Sequence, residues 1–207
     1  MGCAQPLAAQ RHGDELGIKF PERDFTPAIT LGLFVSQCLS RGDACSTVIT
    51  KFNRQRKRLG QTPCSEDASP YCKARAKLSV ELIDPLGKRI VDLLPDKALT
   101  RWKWNKLNVY LVDGLVFRAP DTQANREVYP RPLTQKEGLG FPQVRAIVTD
   151  LLGNRLHCQL QHRCRTPENL DREIAVGVLA YNLVRSLMND AAAVLEIHPR
   201  EVSFSCS

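Results

Sequence analysis

Along the first half of the chain apolar positions recur every three or four residues, the period of a helix. In the middle they bunch into short runs separated by turn formers. In residues 26–39, Ile29, Leu31, Leu33, Phe34, Val35 and Leu39 lie nearly all round the cylinder, which predicts a helix belonging in a core. Thr26 is placed to cap its free N–H groups, and Pro27 suits the first helical position, where a missing N–H costs nothing. Residues 43–59 differ: Val48, Ile49, Phe52 and Leu59 make a single apolar stripe, and Gly60 is a natural terminator. A further capped helix starts at Ser69 and Pro70. Residues 79–94 then carry Leu82, Ile83, Leu86, Ile90, Leu93 and Leu94 on one side, with Pro85 expected to kink or split that helix.

Two short apolar runs, residues 109–112 and 115–117, hinge on Asp113-Gly114 and read as a hairpin of paired strands. A strand or strand-turn is predicted over residues 146–152, closing at Gly153 and Asn154. A last helix opens with Thr166 as cap and Pro167 at its first position, and Ile174, Val178, Ala180, Tyr181, Val184 and Leu187 are expected to supply its buried surface. Residues 1–20 and 198–207 show no periodicity and are expected to be loosely ordered.

Composition alters this picture mainly through charge. With 207 residues, 43% hydrophobic and 25% charged, the chain is ordinary globular material, long enough for one or two domains with cores. The formal charge of +7 points weakly to a polyanionic partner. Its distribution says more: residues 41–80 hold nine Lys and Arg against Asp43, Glu66 and Asp67. Lys51, Arg54, Lys57 and Arg58 fall largely off the apolar stripe of their helix, and the next helix adds Lys73, Arg75 and Lys77. Such a face is either plain solvated surface or a means of neutralising phosphates, where released counterions supply affinity without sequence preference.

Other candidate chemistry is thinner. Asp113, at the edge of a sheet, is either a turn former or a ligand for a hard cation such as Mg²⁺. Trp102 and Trp104, interleaved with Arg101, Lys103 and Lys106, either stack on unpaired bases or seal the joint between helical and sheet regions; the second reading is preferred. His157, Cys158, His162 and Cys164 follow no familiar structural zinc spacing, so no zinc site is expected there. No apolar run approaches the eighteen or so residues of a membrane span. The N-terminus lacks the pattern of a signal peptide, and the eight Cys form no regular framework. Reduced thiols in a cytoplasmic protein are therefore expected.

One long stretch carries a family likeness. Asp113, Gly114, Pro120, Asp121, Thr122, Asn125, Tyr129, Pro130, Gln135, Lys136, Gly138, Gly140, Phe141, Pro142 and Arg145 fall in register on a block that reads DG, PDT-x-x-N, YPQ and Q-K-x-G-x-GFP-x-x-R. The run resembles the first catalytic block of the insertion-sequence-4 family of DDE transposases, with Arg131 standing where that family usually has Gln. Upstream, FTPAITLGLFVSQCLS and YCKARAKL resemble the family's N-terminal helical domain. Downstream, CRTPENLDREIAVGVLAYNLVRSLM resembles its C-terminal helix. The resemblance implies an α/β chain, α+β overall. A helical domain over residues 1–100 would contact DNA, and residues 101–207 would form a truncated ribonuclease-H-like domain with the C-terminal helix from Thr166 packed on its sheet piece. It makes Asp113 the first catalytic acid and a Mg²⁺ ligand, and it favours the phosphate-binding reading of the basic faces, with Lys51, Arg54, Lys57, Arg58, Lys73, Arg75 and Lys77 as contacts to double-stranded DNA at transposon ends. An intact transposase copy is a second implied partner, and a bacterial, nucleoid-associated cytoplasmic location follows; neither membrane nor small-molecule substrate is implied.

The likeness has a gap. Only about twenty residues separate GFPQVR from CRTPE, where the family has a long stretch bearing the second Asp and a Tyr-x-x-Arg-x-x-x-Glu block. Asp150 is the one acid in that interval, 37 positions after Asp113. The chain therefore reads as an internally deleted transposase, its junction within residues 146–161. Phosphodiester transfer of this type uses two Mg²⁺ ions roughly 3.5–4 Å apart, clamping the attacking and leaving oxygens. One carboxylate offers too few oxygens for that, so weak or absent Mg²⁺ binding and no strand transfer are expected. The alternatives are a DNA-binding remnant that regulates or inhibits an intact copy, or a decayed product that does not fold.

Overall fold

A computed structural model describes residues 24–40, 43–97, 103–107, 109–132, 136, 139–151, 165–199 and 201–202. The chain is α+β and mostly helical. Its elements run α1 Pro27–Leu39, α2 Cys45–Arg58, α3 Ser69–Ala76, α4 Val80–Lys97, β1 Tyr110–Arg118, α5 Gln123–Val128, β2 Gln143–Leu151 and α6 Pro167–Leu195. Trp102, the His157/Cys158/His162/Cys164 group, Gly153-Asn154 and most of the expected deletion junction lie outside the described residues.

Local signals set most of the helix starts. Thr26 Oγ1 accepts from the backbone N–H of Ile29 at 3.3 Å, with Pro27 directly behind it. Before α3 the cap comes from one residue further back than Ala68: Asp67 Oδ1 accepts from both the N–H and the hydroxyl of Ser69. Those two bonds hold the Asp67 carboxyl below the usual carboxylate range. At α6 Thr166 occupies the cap position as expected, but its hydroxyl accepts from the Asn169 side chain at 2.9 Å instead of a backbone N–H. Gly60 ends the α2 segment in the left-handed region, φ +69°.

Pro85 does not split its helix. The bond it forgoes is one to Glu81, in the first turn, and burial of Leu82 and Ile83 holds that turn together. The Asp113-Gly114 hairpin is also absent. Both residues lie inside one nine-residue strand, and Gly114 takes no positive φ. The strand's partner is β2, antiparallel from Tyr110 opposite Leu151 to Arg118 opposite Gln143. The tight turn falls earlier, where Asn105 and Lys106 both have positive φ and Trp104 and Leu107 exchange backbone bonds of 2.8 and 3.1 Å. Trp104 is 65% exposed there, so it seals no joint.

Three buried clusters organise the described residues. The first joins Leu31 and Phe34 of α1, Leu78, Leu82 and Ile83 around the start of α4, and Val176 and Leu179 of α6. The second joins Phe25, Val48, Ile49, Cys64, Tyr71 and Ala74, and so ties α2 to α3. The third is small: Ala119 and Leu170, with Tyr129, Val144 and Ile174 against them. The late helix, expected to rest on the sheet, thus packs chiefly on α1 and α4, and only its first turns reach the sheet side. Its buried face is accordingly Val176, Leu179, Ala180, Val184, Met188 and Ala192, while Val178 and Leu187, expected inside, face out. Leu59, placed on the α2 stripe from sequence, is likewise exposed.

Candidate nucleic-acid interface

Helix α2 separates its charges from its core contacts cleanly. Val48, Ile49 and Asn53 are buried with Phe52 half-buried beside them, whereas Lys51, Arg54, Lys57 and Arg58 are exposed. At 100° per residue the four basic positions span roughly a third of the circumference, opposite the buried arc. Lys51 is held by the Asp43 carboxylate. Arg54, Lys57 and Arg58 have no ion-pair partner among the described residues. Arg56, on the opposite side, belongs to the fold: its Nε donates to Thr62 O at 2.6 Å, Nη1 reaches Asp24 Oδ1 at 3.1 Å, and the guanidinium covers the Phe52 ring.

What keeps this face fixed is a tie that periodicity did not reveal. Asn53 is buried and imitates a backbone partner for Cys64, donating to its carbonyl at 3.0 Å and accepting from its N–H at 2.9 Å. The Cys64 thiol donates to the same Oδ1, and burial pushes that thiol up from its ordinary value. The loop over residues 59–65 is thereby laced back onto α2. Position 53 carries the only polar side chain in the stripe between Ile49 and Arg56, and that is the signal that could have marked it.

Helix α3 and its C-cap, Lys77, divide their three basic residues. Lys73 and Lys77, four apart, are exposed. Arg75 turns inward: Nη1 donates to Gln37 Oε1 at 2.9 Å, Nη2 meets Glu173 Oε1 of α6 at 3.5 Å, and the guanidinium lies 4.2 Å from the Phe34 ring centroid. Arg75 therefore joins α1, α3 and α6. Its spacing four residues after Tyr71, a fully buried ring, places both on the same face. Gln37, also buried, accepts from the Tyr71 hydroxyl at 3.0 Å and donates to the Asp43 carbonyl. Burial pushes the Tyr71 phenol well above its ordinary value, so it remains a donor throughout the usual pH range. Of the seven predicted DNA contacts, six lie on exposed faces of two helices that pack together, and one is an internal strut.

The motif-bearing loop after β1 is held by its own residues. Thr122 Oγ1 caps α5 by accepting from Asn125 N, and its hydroxyl donates to Arg165 O at 2.7 Å. Asn125 is buried and donates to Pro120 O at 3.0 Å, and the Tyr129 hydroxyl donates to Asp171 of α6 at 2.7 Å. Asp121 takes two bonds from Arg131, at 2.9 and 3.2 Å, and a third from Arg126. The Arg131 bonds hold the Asp121 carboxyl below its ordinary value. These contacts dock the loop on α6.

Asp113 itself stands mid-strand opposite Val148, exposed, with Oδ1 accepting from the next N–H, that of Gly114, at 2.7 Å. The register puts the backbone of Asp150, paired with Leu111, one diagonal step away. Among the described residues no group of three His, Cys, Asp or Glu is arranged to hold a metal ion. One exposed carboxylate, already bonded to its neighbour's N–H, does not fit a two-metal clamp.

No helix among the described residues is long and apolar enough to cross a membrane. In comparisons with known proteins the chain matches no family model, no curated protein and no solved structure. The transposase resemblance accordingly rests on the residues quoted for it.

Proposed function

We propose that this protein binds double-stranded DNA through its phosphate backbone, as a relative of the insertion-sequence-4 transposases that lacks their strand-transfer chemistry. The carrying observation is the exposed basic arc of α2, Arg54, Lys57 and Arg58 with Lys51 beside them, on a helix anchored by Asn53 and the Val48/Ile49 core. Lys73 and Lys77 of the adjoining α3 extend the positive surface. Lysine and arginine on exposed helix faces make phosphate contacts that position a duplex without reading its bases. An intact transposase copy is the second partner in this reading, inhibited by mixed assembly with this chain on transposon ends. Asp113 carries no role in the DNA contact.

Fluorescence anisotropy with a labelled duplex across a salt series tests the proposal. Binding should weaken steeply with salt, and the triple change Arg54→Gln, Lys57→Gln and Arg58→Gln should flatten the log–log slope by about 0.9 for each phosphate that is no longer neutralised. Wild-type binding that ignores salt, or a triple variant that binds like wild type, would reject it. Incubation with supercoiled DNA and Mg²⁺ should leave the DNA intact in wild type and in Asp113→Ala alike.

A further inference from the structure

The two faces of the β1–β2 ribbon are different surfaces. One, through Val144, lies against the Ala119–Leu170 cluster and so toward α6, and Asp113 stands on that same face. The other carries Val112 and Val116 of β1 and Ile147 of β2, all exposed, with Arg118 and Arg145 exposed at one end. Arg118 pairs with Gln143 and Arg145 with Val116. The two arginines are therefore diagonal neighbours, roughly 7 Å apart. Neither makes an ion pair among the described residues, and no side chain described on this face is acidic.

We propose that this face of the ribbon enters the major groove of double-stranded DNA and reads its bases, the arginines on guanine and Gln143 on adenine. The inference rests on the phosphate-binding reading of α2, whose contacts supply affinity but no choice of sequence; the ribbon supplies that choice. The major groove is about 12 Å wide and admits a two-stranded ribbon, whose strands lie about 5 Å apart. A guanidinium donates two bonds to guanine O6 and N7, and a glutamine amide bonds adenine N6 and N7. At a rise of about 3.4 Å per base pair, arginines roughly 7 Å apart reach guanines about two steps apart. Val112, Val116 and Ile147 offer apolar contact to thymine methyl groups, which project into the same groove. Charge favours DNA over a second copy of this chain. Isologous packing of the face on itself would bring two further arginines and, from the side chains described on it, no carboxylate, whereas the phosphates flanking the groove compensate both.

The full-length protein is used to select from duplexes with a randomised centre, and the enriched duplex is compared with a scrambled one of the same composition by fluorescence anisotropy. The enriched site should hold guanines about two steps apart, and wild type should protect their N7 atoms, which face the major groove, from dimethyl sulfate. Arg118→Gln and Arg145→Gln should each lose protection at one guanine and cut the preference for enriched over scrambled duplex on the order of tenfold. Ile147→Glu, at a position 81% exposed, should abolish the preference by turning a carboxylate toward the DNA, with an unchanged circular dichroism spectrum showing that the fold is kept. Salt-dependent binding with no enriched sequence, an enriched site whose guanine N7 atoms stay reactive, or an unchanged preference in both arginine variants would overturn the ribbon reading and leave the α2 arc standing. Binding to neither duplex would reject both readings. A stable dimer that Ile147→Glu dissociates would show that a second copy covers this face, and would overturn the proposal as well.

Discussion

The helical part and the two-stranded sheet are built from similarly apolar sequence and treat it in opposite ways. In the helical part Phe34, Leu78, Leu82, Ile83 and Val176 are essentially out of solvent, contributed by three helices and a connector. In the sheet Val112, Val116 and Ile147 are 70%, 55% and 81% exposed. Among the described residues the sheet has few neighbours: β1 pairs with β2, and contact with the rest comes through the small cluster around Ala119 and Leu170. A two-stranded ribbon offers its residues only one neighbouring strand, and unaided it is marginal. Helices that cross three ways can close a core around a single phenylalanine. Stability therefore belongs to the first region, and the segment with the densest family likeness lies in the second.

Truncation of core side chains is the strongest way to break this comparison. Phe34→Ala should cost about 3–5 kcal/mol in urea unfolding, while Ile147→Ala should stay within about 0.5 kcal/mol. Equal losses at the two sites would mean that the sheet face is covered in solution. A smaller effect separates the two kinds of basic residue on α3. Arg75→Gln should destabilise by about 2–3 kcal/mol, since it strips Gln37 and Glu173 of a partner and uncovers Phe34, whereas Lys73→Gln should change stability by less than about 0.5 kcal/mol. Were Arg75→Gln to fold as stably as wild type yet lose DNA affinity, Arg75 would be a contact after all and the inward strut would be wrong.

The smallest effect concerns pH and the motif loop. The Arg131 bonds depress the folded-state pKa of Asp121, so its ionised form is favoured by folding. That contribution is complete above the unfolded carboxyl's pKa, so it is fully present and independent of pH near neutrality, and it is lost as pH falls through the depressed folded value. In Arg131→Gln the acid-side decline should be shallower, by only a small margin because Asp121 and Arg131 are both partly solvent-screened. An unchanged acid limb would show that the pair contributes nothing.

The longer helices were legible from a start signal or a period: Thr26-Pro27, the Val48/Ile49/Phe52 stripe, and Thr166-Pro167; the short α5, in a stretch read as a polar loop, was not. The basic arc was legible for the same reason, since α2 must bury one side and Lys51, Arg54, Lys57 and Arg58 fall on the other. Asp113-Gly114 misled because a turn former has no obligation to turn when a distant strand offers it a ladder; β2, some thirty residues on, did so. Arg75 misled because a net-charge reading treats every cation as surface, and only its spacing from Tyr71 hinted otherwise.

What the amino-acid order determined alone is local: where helices begin, which side of α2 is charged, where a chain reversal is sterically cheap. These depend on interactions within a turn or two, and their energetics travel with the segment. What the tertiary structure decided is which faces meet. It put α6 against α1 and α4 instead of the sheet, and turned Arg75 between Gln37 and Glu173. Each of those pairings joins segments far apart along the chain, and its free energy exists only once several helices have packed together.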